Sequence, residues 1–161
     1  MKEQSFERKI ISPKSLKALY PLKNLDEVLK NREDIVRILS ACDDRLLLIV
    51  GPCSIHDEDA CLEYAKKLAS LQKMCEKKFF IVMRCYLEKS RTALGWSGFL
   101  SSPNIDEKFD MEKGLKKGRS LLVKIAELGL PIAYEVIDPL AFGYFSDLIS
   151  IASIGARSVR S

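Results

Sequence analysis

The sequence predicts an α/β fold built as the first half of a (β/α)8 barrel, with about four parallel strands and an N-terminal helical arm. Three observations carry this reading. Short apolar runs without alternation are separated by longer stretches of helical spacing, which is the pattern of a parallel sheet joined by right-handed crossovers. No G-x-G-x-x-G turn follows the first strand, and polar residues fall at the carboxyl ends of all the strands instead of at one switch point. A complete barrel takes roughly 250 residues, so a chain of 161 residues holds about half of one.

Residues 1–42 are expected to form the arm and a helix, and residues 43–161 a truncated barrel. Mixed charge, Pro13, Pro21 and only Leu16, Leu19 and Tyr20 as an apolar pattern leave residues 1–23 outside the expected core. From Asn24, the spacing of Leu25, Val28, Leu29, Ile35, Val36 and Leu39 predicts a helix over 25–41, and Glu27 three residues after Asn24 matches a helix-start signal. Leu46–Val50, closed by Gly51-Pro52, reads as the first strand. Residues 58–77 return to helical spacing with Cys61, Tyr64, Ala65, Leu68, Leu71 and Cys75 on one face. Phe79–Met83 is the second strand, and a long loop runs from about Leu87 to Asp110. Met111, Leu115, Leu122, Ile125 and Ala126 mark a helix that Gly129 and Pro131 end. Ile132–Val136 is the third strand, a helix over about 140–151 turns Tyr144, Phe145, Leu148 and Ile149 inward, and Ile154-Gly155-Ala156 begins the fourth strand.

Composition narrows the function classes. The longest apolar runs fall far below the roughly 18 residues of a spanning helix, and Met1-Lys2-Glu3-Gln4 opens no signal peptide. Five cysteines, an odd number without a C-x-x-C pair, point to a reducing compartment and hence the cytoplasm. A net charge of +4 is small and dispersed, so neither nucleic acid nor membrane is an expected partner.

The chemistry is expected where the strands end. The first strand delivers Cys53, Ser54 and His56; the second delivers Arg84, then Glu88, Lys89 and Arg91; the third delivers Glu135 and Asp138; the fourth delivers Arg157. Converging cations with few carboxylates suit a small acid carrying phosphate and carboxylate groups, since arginine offers a bidentate fork and lysine a point charge. By residue type Cys53 is more often a small hydrophobe than a metal ligand, and His56 more often a capping residue than a base. Cys42, Cys61, Cys75 and Cys85 read as core thiols.

The stretches Leu48-Ile49-Val50-Gly51-Pro52-Cys53-Ser54-Ile55-His56-Asp57 and Met83-Arg84-Cys85-Tyr86-Leu87-Glu88-Lys89-Ser90-Arg91-Thr92, with Gly95-Trp96-Ser97-Gly98, make the chain resemble the type I 3-deoxy-D-arabino-heptulosonate 7-phosphate (DAHP) synthases, the phospho-2-dehydro-3-deoxyheptonate aldolases. The likeness runs from about Asp43 to Arg157 and includes Gly129-Leu130-Pro131, Glu135, Asp138 and Ile154-Gly155-Ala156-Arg157. It implies a transferase that condenses phosphoenolpyruvate with erythrose 4-phosphate at the entry to aromatic amino acid synthesis, using a divalent manganese, iron, cobalt or zinc ion. It also implies roles: Cys53 as metal ligand, Lys89 and Arg84 as catalytic cations, and Arg91, Thr92, Glu135, Ala156 and Arg157 as substrate-binding residues.

The departures carry expectations of their own. Ser90 stands where the family has proline, and Ser158-Val159-Arg160-Ser161 where it has Thr-Thr-Glu-Ser. The family's further metal ligands belong to a second half not found here. The isolated chain is therefore expected to be inactive and to associate, as a homo-oligomer or with the missing half. The alternative is a non-catalytic fragment or interaction module that pairs with an intact synthase.

Overall fold

Unalternated apolar runs suit strands that other elements can cover, and they become strands in the computed structural model, which describes residues 10–89, 95–104 and 109–154. The elements in order are α1 (Pro13–Leu19), α2 (Leu25–Leu39), β1 (Leu46–Val50), α3 (Glu58–Cys75), β2 (Phe79–Arg84), α4 (Met111–Glu127), β3 (Ile132–Val136), α5 (Pro139–Phe142) and β4 (Ile151–Ile154). The strands form one sheet in the order β1-β2-β3-β4, and every neighbouring pair is parallel. Strand order equal to chain order, with a helix between strands, is the winding of a (β/α) barrel. In the sheet described, β1 and β4 are the edges.

Alternation along each strand sorts the side chains to two faces. Ile81, Met83, Ile132 and Tyr134 join Cys61, Ala65 and Leu68 of α3 and Leu115, Leu122 and Ile125 of α4 in the main core. The opposite, inner face carries Phe80, Val82 and Ala133, and α2 covers its lower end with Ile35 and Ile38. The helix-start signal works as expected, since the Asn24 side chain accepts the Glu27 backbone N–H at 3.3 Å. At the end of α4, Gly129 takes a φ of 77°, the left-handed conformation that stops a helix.

The structure corrects several expectations. The helix expected over 140–151 is a single turn, α5, followed by tight turns in which Phe145 N–H bonds Phe142 C=O and Leu148 N–H bonds Phe145 C=O. Ile151 then opens β4, three residues before the expected start. The same apolar residues still face inward, because Phe145, Leu148 and Ile149 are buried.

Leu16 of the arm is fully buried in the main core, contrary to the reading of 1–23 as outside it. Tertiary partners hold it there: Arg119 of α4 donates to the Tyr20 carbonyl, and Lys17 pairs with Asp147 at 3.4 Å. The apolar positions of α2 share one stripe, but only one side of it is covered, for Val28 and Ile35 are buried whereas Leu25, Leu29, Val36 and Leu39 are exposed. Cys42 is exposed and is no core thiol, because it follows the helix in a turn that reverses through Ala41 at φ 57°. Cys61 and Cys85 are core thiols; burial, with the charges of Asp57 and Glu58, pushes the Cys61 thiol up to about 12, so it stays protonated.

Candidate active site

The upper end of the inner face is where polar residues replace apolar ones. Arg84 ends β2 on the same face as Phe80 and Val82, and its guanidinium lies over the Tyr86 ring, 4.1 Å from the centroid. Arg84 Nε is buried with no hydrogen-bond partner among the described residues, an unused donor at the rim. The Tyr86 and Ser153 hydroxyls are 3.3 Å apart, which ties the end of β2 to β4. Gly51, with φ 150°, lets the end of β1 come this close, because a Cβ there would fall 2.8 Å from the Arg84 carbonyl oxygen.

Lys89 sits beyond the strand but is fixed. Its ammonium lies 5.7 Å from the centroid of Trp96, whose indole N–H donates to the Ser102 carbonyl at 2.7 Å. An antiparallel bridge joins Glu88 to Gly98. Only glycine allows it: φ at Gly98 is 109°, and a Cβ would lie 2.8 Å from Lys89 N and 2.9 Å from Glu88 Cα. Leu100 N–H also bonds the Leu87 carbonyl at 3.2 Å, so this part of the long loop is folded against the strand it follows.

The rim also carries the carboxylates that the sequence placed at the strand ends. Glu135 is half-buried on the inner face, in register with Ser153. Glu88, not singled out for a role from the sequence, accepts the Tyr134 hydroxyl at 3.3 Å. Burial first, then the charges of Asp138 and Glu135, push its carboxyl up to about 7 against the opposing pull of the Tyr134 hydroxyl and the Asp138 backbone. Burial, followed by the Glu88 charge, pushes the Tyr134 hydroxyl well above its usual range. The signal in sequence was slight: a glutamate beside a lysine reads as solvated, and its neighbours come from β3 and the start of α5.

The remaining candidates divide. Cys53 and His56 are exposed beyond β1. Among the described residues no group of three or more His, Cys, Asp and Glu side chains could hold a metal ion. A single thiolate does not make a metal site, so the residues described here do not fit the divalent ion that the resemblance implies. Arg91, Thr92, Ala156 and Arg157 lie outside the described residues. An apolar hollow of about 360 Å³ opens behind the end of β1, lined by Pro52, Ile55, His56, Cys61 and Tyr64. A second hollow, about 920 Å³, lies between Tyr20 and α4 and includes neither Arg84 nor Lys89, so its size says nothing about the rim chemistry. No helix among the described residues is long and apolar enough to cross a membrane.

Four parallel strands wound as half of a (β/α) barrel, with Arg84 at the end of β2 and Lys89 just beyond it, define a barrel protein of the α/β class. The family model described as the DAHP synthetase I family matches residues 17–161, and the chain belongs to that family. It is 42% identical over 157 residues to the Tyr-sensitive phospho-2-dehydro-3-deoxyheptonate aldolase of Salmonella typhimurium, a match that covers 96% of this chain and 44% of the relative. The phospho-2-dehydro-3-deoxyheptonate aldolase of Corynebacterium glutamicum is 40% identical over 152 residues, 93% of this chain and 42% of its own length. The solved structure of that aldolase from Francisella tularensis SCHU S4 superposes with a TM-score of 0.91 at 40% identity, covering 96% of this chain and 46% of that one. The chain thus spans less than half the length of the relatives it matches.

Proposed function

We propose that this chain supplies the phosphoenolpyruvate-holding part of a DAHP synthase, which condenses phosphoenolpyruvate with erythrose 4-phosphate. The observation that carries the reading is the pair of rim cations, Arg84 with its buried, unpartnered Nε and Lys89 braced on Trp96. In the reaction a bond forms between C3 of phosphoenolpyruvate and the aldehyde carbon of erythrose 4-phosphate. Water adds at C2, and the C2–O bond breaks to release inorganic phosphate. Arg84 and Lys89 would hold the phosphate and carboxylate oxygens and stabilise the charge that develops on them. Glu135 would stand beside them, with Arg91, Thr92, Ala156 and Arg157 contributing to substrate binding. Cys53 would be this chain's single contribution to a metal site completed elsewhere, and no step here is routed through a metal.

Calorimetric titration of the chain with phosphoenolpyruvate tests the rim directly. Binding is expected, and Lys89→Ala is expected to weaken it; absence of binding would sink the reading. In an assay of erythrose 4-phosphate-dependent phosphate release with manganese, the chain alone is expected to be inactive and to gain activity when the remainder of the Salmonella relative is added. Lys89→Ala should then lower the rate roughly 10²- to 10³-fold.

The open sheet supports a second expectation. Among the described residues β1 and β4 are the edge strands, and Ile49 on the inner face is 47% exposed. Such edges pair with other chains, so the chain alone is expected to associate. Sedimentation showing a monomer at all concentrations would contradict this, whereas co-purification with an intact synthase would favour an interaction module over a fragment.

A further inference from the structure

Glu88 is the rim carboxyl that the proposed reaction leaves unused, and it is the best connected. Its backbone bridges Gly98 on one side, and its side chain meets the Tyr134 hydroxyl at 3.3 Å on the other. The Asp138 backbone also acts on this carboxyl, drawing it down, while the Asp138 side chain caps α5 by accepting Leu140 N–H at 2.8 Å. Glu88 therefore joins three pieces: the loop that carries Lys89 and Trp96, the upper end of β3, and the first turn of α5.

We infer that Glu88 is a positioning residue, a proton-dependent clamp that holds the loop after β2 to the end of β3 and so keeps Lys89 against Trp96. The groups that face it are Tyr134 and Glu135 from β3 and Asp138 from the head of α5. A neutral carboxyl accepts from the Tyr134 hydroxyl without adding charge. An ionised one places a further negative charge beside Asp138 and Glu135 in a half-buried site, where such charges repel more strongly than in water. Loss of the proton therefore loosens the clamp. It also puts an anion next to the lysine proposed to hold a substrate anion, so both effects weaken anion binding as pH rises.

The direct readout needs no substrate. Trp96 is the only tryptophan, and Lys89 lies over it. Its emission is expected to titrate once with a midpoint of about 7. In Glu88→Gln, a neutral isostere whose amide oxygen can still accept the Tyr134 hydroxyl, the emission should hold its low-pH value throughout. Two variants should move the midpoint in opposite directions. Tyr134→Phe removes a bond that favours the ionised form and should raise the midpoint, whereas Asp138→Asn removes a repelling charge, keeps the cap and should lower it. An emission flat from about pH 5 to about pH 9, a titration that survives in Glu88→Gln, or shifts of the same sign in the two variants would overturn the clamp.

The consequence for substrate rests on the proposed function. Phosphoenolpyruvate affinity should fall above the midpoint in the wild type relative to Glu88→Gln. If the emission titrates but phosphoenolpyruvate does not bind, the clamp stands and the substrate assignment fails; binding without a titration means the reverse.

Discussion

Arg119→Met is expected to lower the stability of the chain by about 3–5 kcal/mol, the range for removing one partner of a buried ion pair. Arg119 is 1% exposed, yet its guanidinium is fully engaged with polar groups. Nε donates to the Tyr20 carbonyl at 2.9 Å and Nη1 to the Tyr144 carbonyl at 2.8 Å. The fork closes on Asp147, with Nη1 at 2.9 Å from Oδ1 and Nη2 at 2.8 Å from Oδ2. One guanidinium thus binds α4 to the end of the arm and to the turns before β4. Methionine fills the volume but strands two carbonyls and a carboxylate. Lys17, 3.4 Å from Asp147, keeps part of the compensation and places the loss nearer the low end of the range. Lysine at this position should recover little, because a point charge cannot serve four acceptors in one plane.

The pH dependence of that variant carries the sign of the argument. Burial alone would push the Asp147 carboxyl up, but the Arg119 fork and the charges of Arg119 and Lys17 bring it below its usual 3.8. In the wild type, Asp147 therefore contributes stability that is present above 3.8 and lost as pH falls through the depressed value. Without Arg119, burial prevails and the carboxyl moves up. The contribution reverses: stability is retained at acid pH and lost as pH rises through the raised value. Urea denaturation at several pH values, with Arg119→Met, Asp147→Asn and the double variant, measures both effects. The double variant should regain most of the loss, because removing the charge removes the burial penalty. Equal destabilisation at every pH would mean that packing, not charge, makes the site matter.

What the sequence made legible follows from which forces are local. Leu46–Val50 and Ile132–Val136 are strands at the expected bounds, since a short apolar run closed by glycine or a turn has few other ways to be covered on both faces. Stops and starts at Asn24 and Gly129 were equally readable, being matters of backbone geometry within a few residues. The segment after Asp138 was not. Tyr144, Phe145, Leu148 and Ile149 have the spacing of a helix face, and a chain of tight turns presents nearly the same residues inward. Periodicity reports the direction of side chains, not the register of backbone bonds. Leu16 was missed for a different reason: its burial comes from Arg119 and Asp147, more than a hundred residues away, and leaves no local trace. At the site, Arg84, Lys89 and Glu135 were legible as polar residues at strand ends. Glu88 was placed at the same rim but given no role, because its setting depends on Tyr134 and Asp138, which the sheet brings to it only once β2 and β3 pair.

Gly114→Ala is expected to destabilise the chain by about 3 kcal/mol or more, although alanine is the better helix former by about 1 kcal/mol. The opposing effect is steric and large. Gly114 lies in the first turns of α4 against the folded part of the long loop, and a Cβ there would fall 1.8 Å from the Leu100 carbonyl oxygen and 2.5 Å from its carbon. Those atoms cannot simply swing aside. Leu100 is 1% exposed, and its N–H is bonded to the Leu87 carbonyl. Gly118, one turn later, provides the contrast: its nearest neighbours are the side-chain tips Leu87 Cδ1 at 2.9 Å and Leu100 Cδ2 at 3.2 Å. Gly118→Ala should therefore be close to neutral, with the helix gain offsetting a small rotation of two leucines. The larger consequence of Gly114→Ala lies at the rim. Displacing Leu100 pulls on the bridge between Glu88 and Gly98, and with it on Lys89 and Trp96. A loss of urea midpoint accompanied by a change in Trp96 emission under native conditions is the expected pair of results. A midpoint that falls with unchanged emission would show that α4 gives way instead of the loop, and that the seat of Gly114 serves the helix rather than the site.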